Sequence, residues 1–102
     1  MKVVYKEVLY KGRFDNLYVL GLGNAIHVPM NKGSRIINFQ QNPFDGTICV
    51  WYECVPGEPM EERVFWLAFT GSSYPQNLHA IASTPYAPGG LWVHLLEERK
   101  DA

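Results

Sequence analysis

The stretch from residue 35 to residue 70 constrains the fold more than any other part of the chain. It reads RIINFQQNPFDGTICVWYECVPGEPMEERVFWLAFT, three apolar, β-prone runs separated by two turn segments. The first turn is Asn42-Pro43-Phe44-Asp45-Gly46 and the second is Pro56-Gly57-Glu58-Pro59. Asp-Gly between β-rich runs marks a hairpin, because glycine takes a positive φ without steric cost. Within residues 47–55, Ile48, Val50, Tyr52 and Cys54 share one face of a strand, and Cys49, Trp51 and Glu53 share the other. Both faces are bulky, so this strand is expected at the centre of a sheet, covered at least in part on both sides. Residues 63–70 set Arg63, Phe65, Leu67 and Phe69 against Val64, Trp66, Ala68 and Thr70. Together the three runs predict a meander, with 56–62 as an exposed hairpin loop.

The flanking segments extend the pattern. Residues 2–10 suit a strand near a sheet edge, where strict alternation is relaxed. Residues 17–23 suit a short strand ending in spaced glycines. Gly21-x-Gly23 superficially resembles a dinucleotide loop, but Ile26 stands at the third-glycine position and no helix follows, so a turn is expected. Residues 25–30 alternate and stop near Pro29. In 35–41, the face with Ile37 and Phe39 is expected in the core. Residues 78–83 fit a short strand or one helical turn. Residues 84–90 are read as a break, 91–96 as a closing strand and 97–102 as a frayed tail. No long segment has an apolar period of ~3.6 residues. The fold class that follows is all-β or mainly β. It is a single domain over residues 1–102, an antiparallel sandwich or barrel of about six to eight short strands.

Charge and cysteine usage narrow the function classes. A net charge of -1 and a pI near 6.3 leave no footprint for duplex nucleic acid. Nine Lys and Arg still permit a local basic pocket. Cys49 and Cys54 are five residues apart, an odd offset that sends them to opposite faces of a strand and argues against a mutual disulfide. Unpaired cysteines suit a reducing compartment. The first residues lack an apolar stretch of secretory length, and no apolar run reaches the ~18–20 residues that span a bilayer. A cytoplasmic protein without membrane partners is expected.

No catalytic, metal or cofactor signature emerges. His27, His79 and His94 have no Cys or carboxylate at metal-ligand spacing beside them. Cys49 and Cys54 fall in mid-strand, where free cysteine behaves as a buried hydrophobe. Glu58, Glu61 and Glu62 occupy a hydrophilic loop with no apolar pocket to raise a pKa. The chemistry with most promise is aromatic. Trp51, Trp92 and His94 could converge into a wall that stacks on a planar ligand, while Arg35 or Arg63 holds a phosphate or carboxylate through two parallel bonds. Trp66 points away from Arg63 on a flat strand. The alternative is that the tryptophans fill a core or a subunit interface.

The order of segments resembles a family of short proteins encoded by tailed bacteriophages and prophages. The matching residues are Tyr5-Lys6, then Ile26-His27-Val28-Pro29, then Gly33-Ser34-Arg35-Ile36-Ile37 with Gln40. Cys49-Val50-Trp51, Glu62-Arg63-Val64-Phe65 with Thr70-Gly71, and Gly89-Gly90-Leu91-Trp92-Val93-His94 complete the series. The likeness covers residues 25–98 well and the start loosely. The chain departs from it by a longer stretch at 12–23 and by Pro85 and Pro88. The resemblance implies a phage or prophage origin, hence the cytoplasm of an infected bacterial host, and a small β-rich fold. The expected function is a non-enzymatic binding protein, a homo-oligomer that sequesters a small host ligand such as a nucleotide immune signal. The competing expectation is a protein-interaction module that inhibits a host protein or serves virion assembly.

Overall fold

A computed structural model describes residues 1–11, 25–86 and 91–98. The expected strand at 17–23, the turn at Gly21 and the residues around Pro88 lie outside the described residues. Seven strands and no helix occur among those described: β1 (Val3–Tyr10), β2 (Ile26–Asn31), β3 (Arg35–Gln41), β4 (Ile48–Cys54), β5 (Met60–Phe69), β6 (Leu78–Tyr86) and β7 (Leu91–Glu98). They form two antiparallel sheets, sheet A in the order β1-β4-β3 and sheet B in the order β2-β5-β7-β6. Inward side chains from both sheets interleave in one core, so the all-β expectation resolves to a sandwich.

The β3–β4 hairpin forms where the Asp-Gly turn demands it. Asn42 N donates to Thr47 O at 2.8 Å, Gly46 N donates to Asn42 O at 2.8 Å, and Gly46 takes a φ of 77°. The second turn does something else. β4 pairs with β1 and β3, whereas β5 pairs with β2 and β7. The expected three-stranded meander is therefore corrected to a long two-armed ribbon folded at a corner. One arm is β2 followed by β3; the other is β4 followed by β5. The half in which β2 opposes β5 lies in sheet B, and the half in which β3 opposes β4 lies in sheet A.

The corner consists of residues 32–34 on one arm and 55–59 on the other, and the bonds between them fix the bend. Lys32 N donates to Pro59 O at 2.7 Å and Asn31 Nδ2 donates to Glu58 O at 2.7 Å. Ser34 donates to Asn31 O through both its backbone N at 3.1 Å and its Oγ at 2.6 Å. Gly33 supplies the positive φ of 83°, and a Cβ there would meet nothing within 4 Å. Its substitution therefore acts through the backbone alone. Gly33→Ala is expected to lower stability by about 1 kcal/mol with an unchanged urea m value, as read by equilibrium denaturation.

Alternation places the core. Val28, Met30, Val50, Phe65, Leu67, Val93 and Leu95 are almost wholly buried on the inner faces, and Phe69 meets Tyr86 edge-on at 5.3 Å. The inner face of β3 differs from expectation. A bulge between Ile36 and Asn38 sets Ile36 and Phe39 inward and leaves Ile37 exposed, since an extra residue flips the side-chain parity. β6 continues through residues 84–86, which were expected to break structure. It is the edge strand of sheet B, where proline is tolerated, and Thr84 and Tyr86 on either side of Pro85 are buried. Glu97 and Glu98, expected in a frayed tail, belong to β7.

Sheet B has one connection that crosses it. β5 and β6 both run antiparallel to β7 and so parallel to each other. The connection at 70–77 must pass from one end of the sheet to the other. It does so on the outer face, where Ala68, Leu78 and Leu96 make a small buried cluster with Trp66 against it.

Candidate ligand-binding site

Sheet A presents its outer face to solvent, and Trp51 stands in its middle. The register places Lys6 of β1 on one side of Trp51 and Asn38 of β3 on the other. Lys6 Nζ lies 5.7 Å from the centroid of the Trp51 ring, within cation–π range. Toward the β3–β4 loop the next outward residue is Cys49, buried and free, flanked by Val8 and Gln40. Here a cavity of about 320 Å³ opens. Trp51 and Cys49 form its apolar side, Lys6, Gln40 and Asn42 its polar side, and Phe44 lines it from the loop.

Phe44 is 97% exposed, although it sits on an ordered turn. Its backbone N donates to Asn42 Oδ1 at 2.9 Å. Asp45 Oδ1 accepts from both Thr47 N at 2.9 Å and Thr47 Oγ1 at 2.7 Å. These bonds, led by the one from the Thr47 backbone, hold the Asp45 carboxyl below its ordinary pKa. The ionised carboxylate thus keeps the turn in shape and Phe44 at the cavity mouth.

The other expected site residues are placed as follows. Arg35 lies on the same outer face of sheet A, at the far side of Trp51. Its Nε donates to Glu53 Oε1 at 2.9 Å, and Lys2 Nζ approaches the same oxygen at 3.6 Å. The Arg35 hydrogen bond chiefly lowers the Glu53 pKa. Arg63 faces inward from β5. Its Nε and Nη2 donate to Glu97 Oε2 and Oε1 at 2.5 and 2.7 Å, and its Nη1 donates to Ser34 O at 2.6 Å. Three bonds commit its guanidinium to the corner of the ribbon rather than to the Trp51 cavity. Trp92 and His94 lie on the outer face of sheet B, at the opposite side of the sandwich from Trp51. Trp51 therefore shares a face with Arg35 and Lys6 but does not meet Trp92, His94 or Arg63. His27 pairs through Nδ1 with Glu62 on the neighbouring strand of sheet B.

Lys6 and Phe44 had not been expected in a site. Lys6 reads as a polar position on an edge strand, and only the register across β1 and β4 sets it beside Trp51. Phe44 carries a faint signal of its own, as a large aromatic inside a Pro-Phe-Asp-Gly turn where polar residues prevail.

Two antiparallel sheets and a bent ribbon shared between them define a small β-sandwich with a cavity of about 320 Å³ on one outer face. The chain belongs to the family described as a domain of unknown function, DUF7352, which matches residues 17–102. No curated protein and no solved structure matches it. Among the described residues, no helix is long and apolar enough to cross a membrane.

Proposed function

We propose that this protein is a phage-encoded binding protein whose Trp51 cavity holds a small planar anion of the nucleotide class without turning it over. The observation that carries the proposal is the cavity between Trp51 and Phe44, with Lys6 and two amides at its side. Its volume of about 320 Å³ suits a small ligand. Stacking on an aromatic ring is worth about 1–3 kcal/mol per base and accepts any base. Lys6 supplies the positive charge for a phosphate, and Gln40 and Asn42 offer both donors and acceptors to a base edge. Binding without turnover in the cytoplasm of an infected host would remove a signalling nucleotide from circulation. The phage setting rests on the sequence resemblance described above.

A protein-interaction module is the second reading, favoured by β1. This strand is an edge of sheet A, and Val4, Tyr5 and Val8 on it are exposed. The same edge supports the proposal of a homo-oligomer.

Calorimetric titration with a panel of cyclic and linear nucleotides separates the two. At least one nucleotide is expected to bind, and Trp51→Ala is expected to weaken it about 5- to 150-fold, the affinity equivalent of ~1–3 kcal/mol. If no nucleotide binds while a host protein is retained at one-to-one stoichiometry, the interaction module replaces the ligand binder.

A further inference from the structure

We propose that Thr70, His94 and Ser83 form a second site, an acyl-transfer centre on the outer face of sheet B, independent of the Trp51 cavity. His94 is the outward residue of β7 opposite Ala68 of β5 and Ser83 of β6. Both of its ring nitrogens meet hydroxyls. Nε2 lies 2.7 Å from Thr70 Oγ1 and Nδ1 lies 2.6 Å from Ser83 Oγ. A neutral imidazole has one N–H donor and one acceptor nitrogen. With the ring in that form, one hydroxyl gives its proton toward it, which is the arrangement that makes a hydroxyl oxygen nucleophilic.

The surroundings assign the roles. A cavity of about 290 Å³ lies under the 70–77 crossover, and Thr70 and His94 line it together with Ser72 and Tyr74. Ser83 reaches the ring from the β6 side. Thr70 is thus the nucleophile, His94 Nε2 its general base, and Ser83 the positioning residue that accepts from Nδ1–H and fixes the tautomer. Thr70 is itself held: its backbone N donates to Trp92 O at 3.2 Å, and the next residue, Gly71, turns the chain with a φ of 93°. Ser72 and Tyr74 line the same cavity, and in this proposal a hydroxyl from one of them donates to the developing oxyanion.

The substrate class is a small ester. Thr70 Oγ1 attacks the carbonyl carbon, forming a C–O bond as its proton passes to Nε2 and the carbonyl electrons move to oxygen. Collapse breaks the bond to the leaving alkoxide, which takes the proton from Nε2. Water then attacks the Thr70 ester by the same route, giving the carboxylic acid and free Thr70.

The test uses the full chain and p-nitrophenyl acetate, following p-nitrophenol release and mapping acetyl groups by peptide mass. The wild type is expected to exceed an equal concentration of free imidazole by about 100-fold or more, the usual contribution of a placed general base, and to carry the acetyl group on Thr70. Thr70→Val is expected to abolish the label and the excess rate, His94→Gln to abolish the excess rate, and Ser83→Ala to lower it while the label stays on Thr70. Circular dichroism checks that each variant is folded. A wild-type rate no greater than that of imidazole, or a label on Ser83 or elsewhere, overturns the proposal without recourse to any variant. Full activity in Thr70→Val also overturns it.

Discussion

Arg63→Ala is expected to lower the unfolding free energy by about 3 kcal/mol, the lower end of the range for breaking a buried ion pair. The side chains of Arg63 and Glu97 are only 13% and 15% exposed, which separates this pair from the solvated bridges of the surface. Removing the guanidinium leaves the Glu97 carboxylate without its fork and the Ser34 carbonyl without its donor. It also releases the corner, because Arg63 is the tie between β7 and the turn that carries β2 into β3. The double variant Arg63→Met with Glu97→Leu is expected to recover much of the loss, since apolar replacement of both partners removes the stranded charge. Urea denaturation of the two single variants and the double gives the coupling. A single-variant loss below about 1 kcal/mol would place the pair with ordinary surface bridges and would contradict the corner-tie role.

Phe65→Ala is expected to cost still more, about 3–5 kcal/mol. Phe65 is fully buried at the middle of the inner face of sheet B, opposite Ile26 of β2 and Glu97 of β7. The Arg63 guanidinium lies 5.5 Å from its ring centroid, so the aromatic ring also supports the ion pair. Truncation removes the ring from the centre of a packed two-layer core, where close neighbours relax only in part. The thermal midpoint is expected to fall by more than about 10 °C, given the steep response of a domain this small. A fall of only ~1–2 °C would mean that the two sheets do not share the core described.

The faces of the strands were legible in the sequence, and their partners were not. A period of two states which side chains point together, and β4 and β5 obey it closely. It does not say which strand lies alongside. Pro56-Gly57-Glu58-Pro59 suits a hairpin and a corner equally, so the meander and the bent ribbon are indistinguishable until Met60 is seen opposite Asn31 rather than along β4. Ile37 misleads for a related reason: a bulge shifts parity within one strand, and nothing in Arg-Ile-Ile-Asn-Phe announces the extra residue. Pro85 reads as a breaker because its tolerance depends on lying at a sheet edge, which is a tertiary fact.

The candidate site was legible to the same degree. Trp51 is visible as a bulky residue on the less apolar face of a central strand. Lys6 joins it only through the β1–β4 register. Arg63 attracts notice as a charge on an apolar face, but Glu97, its partner 34 residues away, has no local mark in the sequence. Thr70 and Ser83 are unremarkable hydroxyls until sheet B brings β5 and β6 to the two sides of His94.

The most direct measurement of the central claim is a titration of the isotopically labelled protein with a mononucleotide, followed residue by residue in the ¹H–¹⁵N spectrum. The expected result is a saturable shift of the Trp51 indole N–H and of the backbone amides of Lys6, Gln40 and Phe44, with the Trp92 indole unmoved. Saturable shifts at Trp92 and His94 with Trp51 unchanged, or no shift anywhere across a panel of nucleotides, would contradict it.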